Sequence, residues 1–154
     1  MPDSSLSSTA FRCIVPDLHL ARVAVRQAVA VDVSAELWSP PDGARTLGVG
    51  FWAAIDRAIV RETPPGRVTT VLNCGDAAGL VLAAFAERLR RVHFTGRASA
   101  AAKLAAIAEA HGAVIHPGPP PDLDLRDRLD PAASCRVALK AIPGPDGRDA
   151  KTAR

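Results

Sequence analysis

The chain has 154 residues, of which 48% are hydrophobic and 23% charged, and its 19 Lys and Arg outnumber 16 Asp and Glu to give a net charge of +3. This composition is typical of a globular domain and excludes a wholly disordered chain, and the length predicts one domain. The longest apolar run, Ala77 to Ala86, is far shorter than the ~18–20 residues of a membrane-spanning helix. Three cysteines without paired spacing exclude a disulfide scaffold and indicate no structural zinc.

The positive charge does not indicate a nucleic-acid partner. Basic residues are spread along the chain and interleaved with acidic ones, and the tightest basic group, Arg88 to Arg91, falls where a helix is predicted to end. Cations at that position complement the helix dipole. No basic recognition motif or set of stacking aromatic residues accompanies the charge, so we expect no nucleic acid and no membrane as partner.

The composition changes along the chain and predicts three parts. Residues 1–10 are Ser-rich and lack the cationic and apolar regions of a secretory signal, which predicts a disordered leader. Residues 11–117 are predicted to form an α/β domain, and residues 118–154 a Pro-rich C-terminal extension. The free cysteines and the lack of an export signal predict a cytoplasmic location.

The first half of the domain predicts two strands and two helices. A strand over 12–15 precedes a helix over 18–30, and alternating polar and apolar residues predict a half-exposed strand within 31–38. A long connection through Ser39 and Gly50 then leads to a helix that begins near Phe51 and ends before Pro64.

The second half predicts a regular alternation of strand and helix. Strands are expected over 68–72, 92–94 and 113–116, and helices over 78–89 and 99–111. Asp76 and Ser99 are predicted helix N-caps, and Gly112 a left-handed helix stop. The short connections predict parallel βαβ units.

Two architectures satisfy this count of five strands and four helices. We favour an open, mostly parallel, five-stranded sheet of the flavodoxin or Rossmann-like type, with strand order 2-1-3-4-5 and helices on both faces. The alternative is half of a (β/α)₈ barrel, whose exposed edges would favour pairing with another chain. In the extension, a short helix is expected over 122–129, a strand or helix over 134–142, and a mobile end over 143–154.

Either architecture gathers polar side chains at the carboxyl ends of the strands. The segment from Thr95 to Ser99 is the best candidate for an anion site, because Gly96 allows close backbone approach, Arg97 offers a planar fork, and a helix begins there. An ordinary glycine turn capped by Ser99 is the alternative. Asp17 and Ser39 follow the first two strands and are further candidate ligand-binding residues.

Cys74 is a candidate nucleophile, because it lies at a strand-to-helix turn where a helix dipole lowers a thiol pKa. His116 or His19 would serve as its base, and Asp76 is a further candidate catalytic residue. The alternative is that Cys74 is a small buried residue. These histidines with Asp17 and Asp76 would form a metal site only if their loops meet. Since nothing in their spacing requires this, we expect no metal.

Short motifs resemble a known group of proteins: Val71–Leu80 (VLNCGDAAGL), Phe94–Arg97 and Gly48–Trp52. Over residues 12–116 the chain is similar to small uncharacterised bacterial α/β proteins, largely alphaproteobacterial. The resemblance implies the fold and brings no activity. That group usually has Asp where this chain has Asn73, so the resemblance implies no carboxylate role there. The turn at Asp76 also resembles that of sulfate-transporter/anti-sigma-antagonist domains, but it lacks their phosphorylatable serine.

The sequence has neither a GxGxxG nor a P-loop motif, so we expect no nucleotide cofactor. Our leading hypothesis is a non-catalytic α/β domain that binds a small anion or a protein partner, with a homodimer among the expected forms. A second hypothesis is a small lyase- or hydrolase-like enzyme acting on an anionic metabolite through Cys74 or Asp76 with His116. A third is an accessory subunit that docks onto a larger complex.

Overall fold

A computed structural model describes residues 9–143. The strands are β1 Phe11–Ile14, β2 Ala35–Trp38, β3 Val68–Asn73, β4 Arg91–His93 and β5 Val114–Ile115. The helices are α1 Leu18–Ala30, α2 Val49–Glu62, α3 Ala78–Ala86, α4 Ala98–Ala110 and α5 Pro131–Lys140. The leader predicted over 1–10 and the mobile end predicted over 143–154 lie outside the described residues, apart from Thr9, Ala10 and Pro143. None of the described helices combines the length and apolarity that crossing a membrane requires.

The five strands form one open sheet in which every neighbouring pair is parallel. This confirms the predicted α/β class. The register places Ile14 beside Trp38, Trp38 beside Val71, and Asn73 beside His93. Because the strands are parallel, the loops that follow them share one edge of the sheet, which we call the rim.

The strand order is β1-β2-β3-β4-β5, so the expected order 2-1-3-4-5 is wrong. Each crossover connection joins adjacent strands, and all of them move across the sheet in the same direction. Because such connections are right-handed, every helix lies on the same face. The core agrees, because one cluster unites alternate strand residues with buried residues of all five helices. The opposite face has a separate apolar cluster of Ile14, Trp38 and Val71, which contains no helical residue. The prediction that helices cover both faces of the sheet is therefore corrected: the helices lie on one face, as in the half-barrel alternative.

Helix α1 spans the predicted residues because its ends are chemically marked. The Asp17 side chain accepts a hydrogen bond from the backbone N–H of Leu20 at 2.8 Å and so caps the first turn. Ala21, Ala24 and Ala28 are fully buried at three- and four-residue spacing. At the end of α4, Gly112 adopts the left-handed conformation with φ +65°, as predicted.

Two predicted helix caps are wrong. Helix α3 begins after Ala77, and α4 begins after Arg97, neither of which caps through its side chain. Asp76 instead pairs with Arg45, and Ser99 lies within the first turn of α4. Pairing with Arg45 thus keeps the Asp76 carboxylate from capping α3.

The long connection before α2 has its own structure. Residues Ala44–Gly48 form a π-helical turn that ends at Gly48, whose φ of +94° favours glycine. Trp52, at the start of α2, is fully buried in the core on the helical face. This segment is therefore partly helical.

The extension packs back onto the first strand. The backbone N–H of Ile14 donates to Leu123, and that of Leu125 donates to Ile14, at 2.8 and 3.0 Å. The helix expected over 122–129 is therefore wrong, because this backbone pairs with the edge of β1 instead. Helix α5 covers much of the predicted 134–142 element, packs against α1 and buries Cys135 completely.

The sheet is curved, and its face opposite the helices is concave. A side chain of β2 meets one that follows β5: Glu36 Oε2 lies 3.3 Å from His116 Nε2. In a flat sheet the two strands would lie about 14 Å apart, at about 4.8 Å per strand. We call this face the concave face, and residues 117–121, which lead across it from β5 towards β1, the strap.

Candidate functional site

The rim is continuous, because its loops bond to one another. Arg45, in the loop after β2, pairs with Asp76, in the loop after β3, at 2.8 Å. The N–H of Thr95, after β4, donates to the carbonyl of Gly75 at 2.7 Å. The loops after β2, β3 and β4 therefore form one surface.

The segment from Thr95 to Ser99 lies open on this rim, with Thr95, Arg97 and Ser99 all exposed. Within residues 9–143, the Arg97 side chain makes no hydrogen bond or ion pair. A Cβ atom at Gly96 would overlap the ring of Phe94, so a larger residue at this position requires that ring to move. The arrangement presents a free guanidinium where α4 begins.

Asp76 and Arg45 neutralise each other on the rim. Arg45 bridges Asp76 at 2.8 Å and Asp42 at 3.1 Å. The hydrogen bond from Arg45 holds the pKa of Asp76 below its ordinary value. Asp76 is therefore an ionised, exposed partner of a cation, which does not suit it to act as a general acid.

Two of the predicted ligand-binding residues have structural roles. Asp17 caps α1. Ser39 is 1% exposed, and its hydroxyl accepts from the Asn73 N–H at 2.8 Å and donates to the Pro40 carbonyl at 3.2 Å. Neither the cap nor the buried hydroxyl is presented to a ligand on the rim.

Cys74 lies in the core on the helical face of the sheet and is fully buried. Its thiol lies 3.8 Å from the Leu72 carbonyl, and burial, with a smaller effect from Asp42, raises its pKa to about 12. His116 belongs to the concave face. The structure therefore does not bring Cys74 and His116 together.

A buried polar network, which the sequence analysis missed, occupies the concave face. Its centre is Glu36, which is only 6% exposed. Glu36 Oε1 accepts from Arg12 Nε at 2.9 Å and from Trp38 Nε1 at 2.7 Å, and Oε2 lies 3.3 Å from His116 Nε2. Donors from β1, from β2 itself and from the residue that follows β5 thus satisfy one carboxylate.

His116 uses both ring nitrogens. Its Nδ1 accepts from the Gly118 N–H at 3.1 Å, which requires a lone pair on that atom. The Nε2 atom then carries the proton and donates to Glu36. The two contacts therefore orient the ring, with Nδ1 facing Gly118 and Nε2 facing Glu36.

Trp38 is the apolar centre of the same face and is fully buried. Its ring centroid lies 4.8 Å from that of His116 and 5.1 Å from that of His93. The guanidinium of Arg12 lies 5.4 Å from the centroid of the Trp38 ring. Residues from β1, β2 and β4, with one that follows β5, therefore surround a single indole.

The network sets the charge states on this face. Burial acts to raise the pKa of Glu36, but hydrogen bonds from His116, Trp38 and Arg12 outweigh it and hold the pKa at about 2. Burial lowers the pKa of His93. Glu36 is therefore an anion at neutral pH, and His93 is held neutral there.

Within residues 9–143, no three His, Cys, Asp or Glu side chains are arranged to hold a metal ion. Comparison with known proteins finds no matching family model, no matching curated protein and no matching solved structure. Function is therefore inferred from the geometry of this chain.

Proposed function

We propose that the chain is a non-catalytic binding domain that holds a small anion on the rim, at the segment from Thr95 to Ser99. The observation that carries the proposal is Arg97, an exposed guanidinium without a partner in the described part of the chain, directly before α4. Arg45 differs, because two carboxylates already neutralise it. Arg97 thus keeps its charge for a ligand.

The start of α4 supplies further donors. The Ala101 N–H donates to the Arg97 carbonyl and is the first intrahelical donor, so the N–H groups of Ala98, Ser99 and Ala100 before it have no acceptor within the helix. No acidic residue occupies this first turn. A phosphate, sulfate or carboxylate group would accept from these N–H groups and from the guanidinium together.

The proposal is tested by titrating the full chain with inorganic phosphate and following backbone amide shifts by NMR. We expect saturable shifts at Gly96 to Ala100, and an affinity about tenfold weaker in Arg97→Ala, since one charge-assisted bond is lost. The matched control is Arg90→Ala, which removes an exposed arginine at the opposite end of β4. Equal affinity in the two variants, or no saturable shift at the segment, contradicts the proposal.

A second candidate is binding of a protein partner, with a homodimer as one form. It is favoured by β5, whose outer edge pairs with no strand among residues 9–143, and by Val114, which is 56% exposed there. The opposite edge, at β1, is covered by Leu123 to Leu125. Light scattering tests the homodimer: Val114→Lys would reduce a dimer to a monomer, and a wild-type monomer at high concentration would rule it out.

A cytoplasmic location remains our expectation, and the alternative of a small enzyme has less support. Catalysis through Cys74 would need an accessible thiolate, whereas this thiol is fully buried and burial raises its pKa to about 12. A turnover that is lost on replacing Cys74 or His116 would overturn the non-catalytic proposal.

A further inference from the structure

The strap joins the two edges of the sheet on the concave face, with a bend at Gly118. It follows His116 at one edge of the sheet, and the chain reaches the other edge at Leu123, which pairs with β1. Four of its five residues are proline, which favours a stiff polyproline II conformation of about 3.1 Å per residue. From His116 to Leu123 such a segment spans about 22 Å. Five strand spacings in a flat sheet cover about 24 Å, which is slightly more than this segment spans.

Two side chains of the concave face hold the strap. Arg12 Nη2 donates to the Pro119 carbonyl at 2.7 Å, and His116 Nδ1 accepts from the Gly118 N–H at 3.1 Å. Both side chains are themselves held by Glu36, on different oxygens. Glu36 therefore orients the two groups that bind the strap, and its own side-chain hydrogen bonds go to Arg12, Trp38 and His116.

The residues of the concave face do not form a fully apolar, fully hydrogen-bonded core. Trp38 is fully buried although its apolar cluster on this face contains no residue from the helices of the described chain. His93 is 9% exposed, packs against Trp38, and its Nδ1 atom has no hydrogen-bond partner among the described residues. A buried, unpaired ring nitrogen is destabilising while the strap is closed. Opening the strap would let water or a ligand satisfy it.

We propose that the strap is a releasable cover over Trp38 and His93, and that Glu36 is the latch that keeps it closed. The strap opens while the sheet stays folded, because its side-chain attachments are the two bonds from Arg12 and His116. Its prolines keep it stiff when released, so opening gains little chain entropy and closing costs little. This inference concerns the concave face and is independent of the proposed anion site on the rim.

The strap contains its own reporter. Proline has no N–H, so Gly118 carries the single backbone N–H of residues 117–121. Its hydrogen exchange, measured by NMR on the full chain, reports opening of the strap. The buried Cys74 N–H, which donates to the His93 carbonyl at 2.9 Å, reports opening of the sheet. We expect protection at Gly118 to be at least tenfold lower than at Cys74.

The variant Glu36→Gln tests the latch. It should accelerate exchange at Gly118 at least tenfold relative to Cys74, because the glutamine holds Arg12 and His116 more weakly. Glu62→Gln, which removes an exposed carboxylate that pairs with Arg22 on the helical face, is the control and should leave the ratio unchanged. If Glu36→Gln does not fold, Arg12→Lys should raise the same ratio.

The ratio of the exchange rates at Gly118 and Cys74 distinguishes strap opening from unfolding of the sheet, even where a variant lowers overall stability. Equal protection at Gly118 and Cys74 in the wild type would show that the strap opens only when the sheet unfolds, and would overturn the proposal. An unchanged ratio in Glu36→Gln would overturn the role of Glu36 as the latch. Neither outcome bears on phosphate binding at Arg97.

Discussion

The two faces of the sheet are buried by different means. On the helical face, apolar side chains from the strands pack against five helices in one continuous core. On the concave face, three apolar residues lie beside a buried carboxylate and two imidazoles, under a strap of five residues. The first face is stabilised by contact area. The second depends on a few directional hydrogen bonds, each of which needs a particular partner.

This difference determines how each face responds to change. Apolar packing loses free energy roughly in proportion to the volume removed, whereas a buried charge network fails when one partner is lost. We therefore expect the helical face to exclude reagents and to tolerate acid. The concave face should be sensitive both to single polar substitutions and to acid.

The largest expected effect concerns the thiols, all three of which lie in the core of the helical face. Burial raises the pKa of Cys74 to about 12 and that of Cys135 to about 11, and it also raises the pKa of Cys13. At pH 8, Cys74 should react with a disulfide reagent about a thousandfold more slowly in the native chain than in urea. Rapid labelling of any of the three thiols in the native chain would contradict the expectation that the helical face excludes reagents.

The second prediction compares the faces directly by urea unfolding. Leu72→Ala on the helical face should lower the free energy of unfolding by about 3 kcal/mol, through a cavity. Glu36→Ala on the concave face should cost a similar amount, about 3 kcal/mol, although far less apolar area is lost, because Arg12 and Trp38 lose their buried acceptor. Glu62→Ala, at an exposed pair, should stay close to the wild type. A Glu36→Ala variant as stable as Glu62→Ala would contradict the network.

The third prediction is a pH dependence specific to the concave face. The pKa of Glu36 is lowered from 4.5 to about 2, so its stabilisation is full above pH 4.5 and is lost as the pH falls towards 2. The loss should amount to roughly 3 kcal/mol. Between about pH 5 and 2, unfolding free energies of the wild type should therefore fall more steeply than those of Glu36→Gln. Parallel pH profiles would show that the carboxylate is not held as an anion.

The smallest effect is expected on the rim, between the two faces. Gly96→Ala should destabilise the chain by about 1–2 kcal/mol, because its Cβ would overlap the Phe94 ring. Gly79→Ala, in α3 and with open space around it, should be neutral or stabilising by up to about 1 kcal/mol. Thermal unfolding distinguishes the two. Equal effects would mean that the loop before α4 adapts freely to a larger residue.

Local chemistry allowed much of the fold to be predicted. The bounds of helix α1 were predicted, and the structure explains where it begins, because Asp17 caps its first turn. Strand order could not be predicted, because buried parallel strands have similar apolar sequences in any order. The extension over 122–129 was misassigned because its backbone partner, Ile14, lies more than a hundred residues away in sequence.

The candidate site was less predictable for the same reason. The rim residues could be located, because they directly follow strands. Glu36 was expected on the exposed side of a half-exposed strand, since it alternates with apolar neighbours. It is buried because His116, 80 residues away in sequence, and the strap close over it. An acidic residue and a tryptophan two positions apart on one strand face were the available signal, and this pattern does not reveal a partner so far away.

The central claim is that the sheet curves until the side chains of β2 meet those beyond β5. The most direct measurement is of nuclear Overhauser effects between the ring protons of Trp38 and those of His116 and His93. The account predicts cross-peaks from Trp38 to both histidines, since the ring centroids lie 4.8 and 5.1 Å apart. A folded chain with cross-peaks from Trp38 to neither histidine would contradict the curved sheet, the buried network and the strap together.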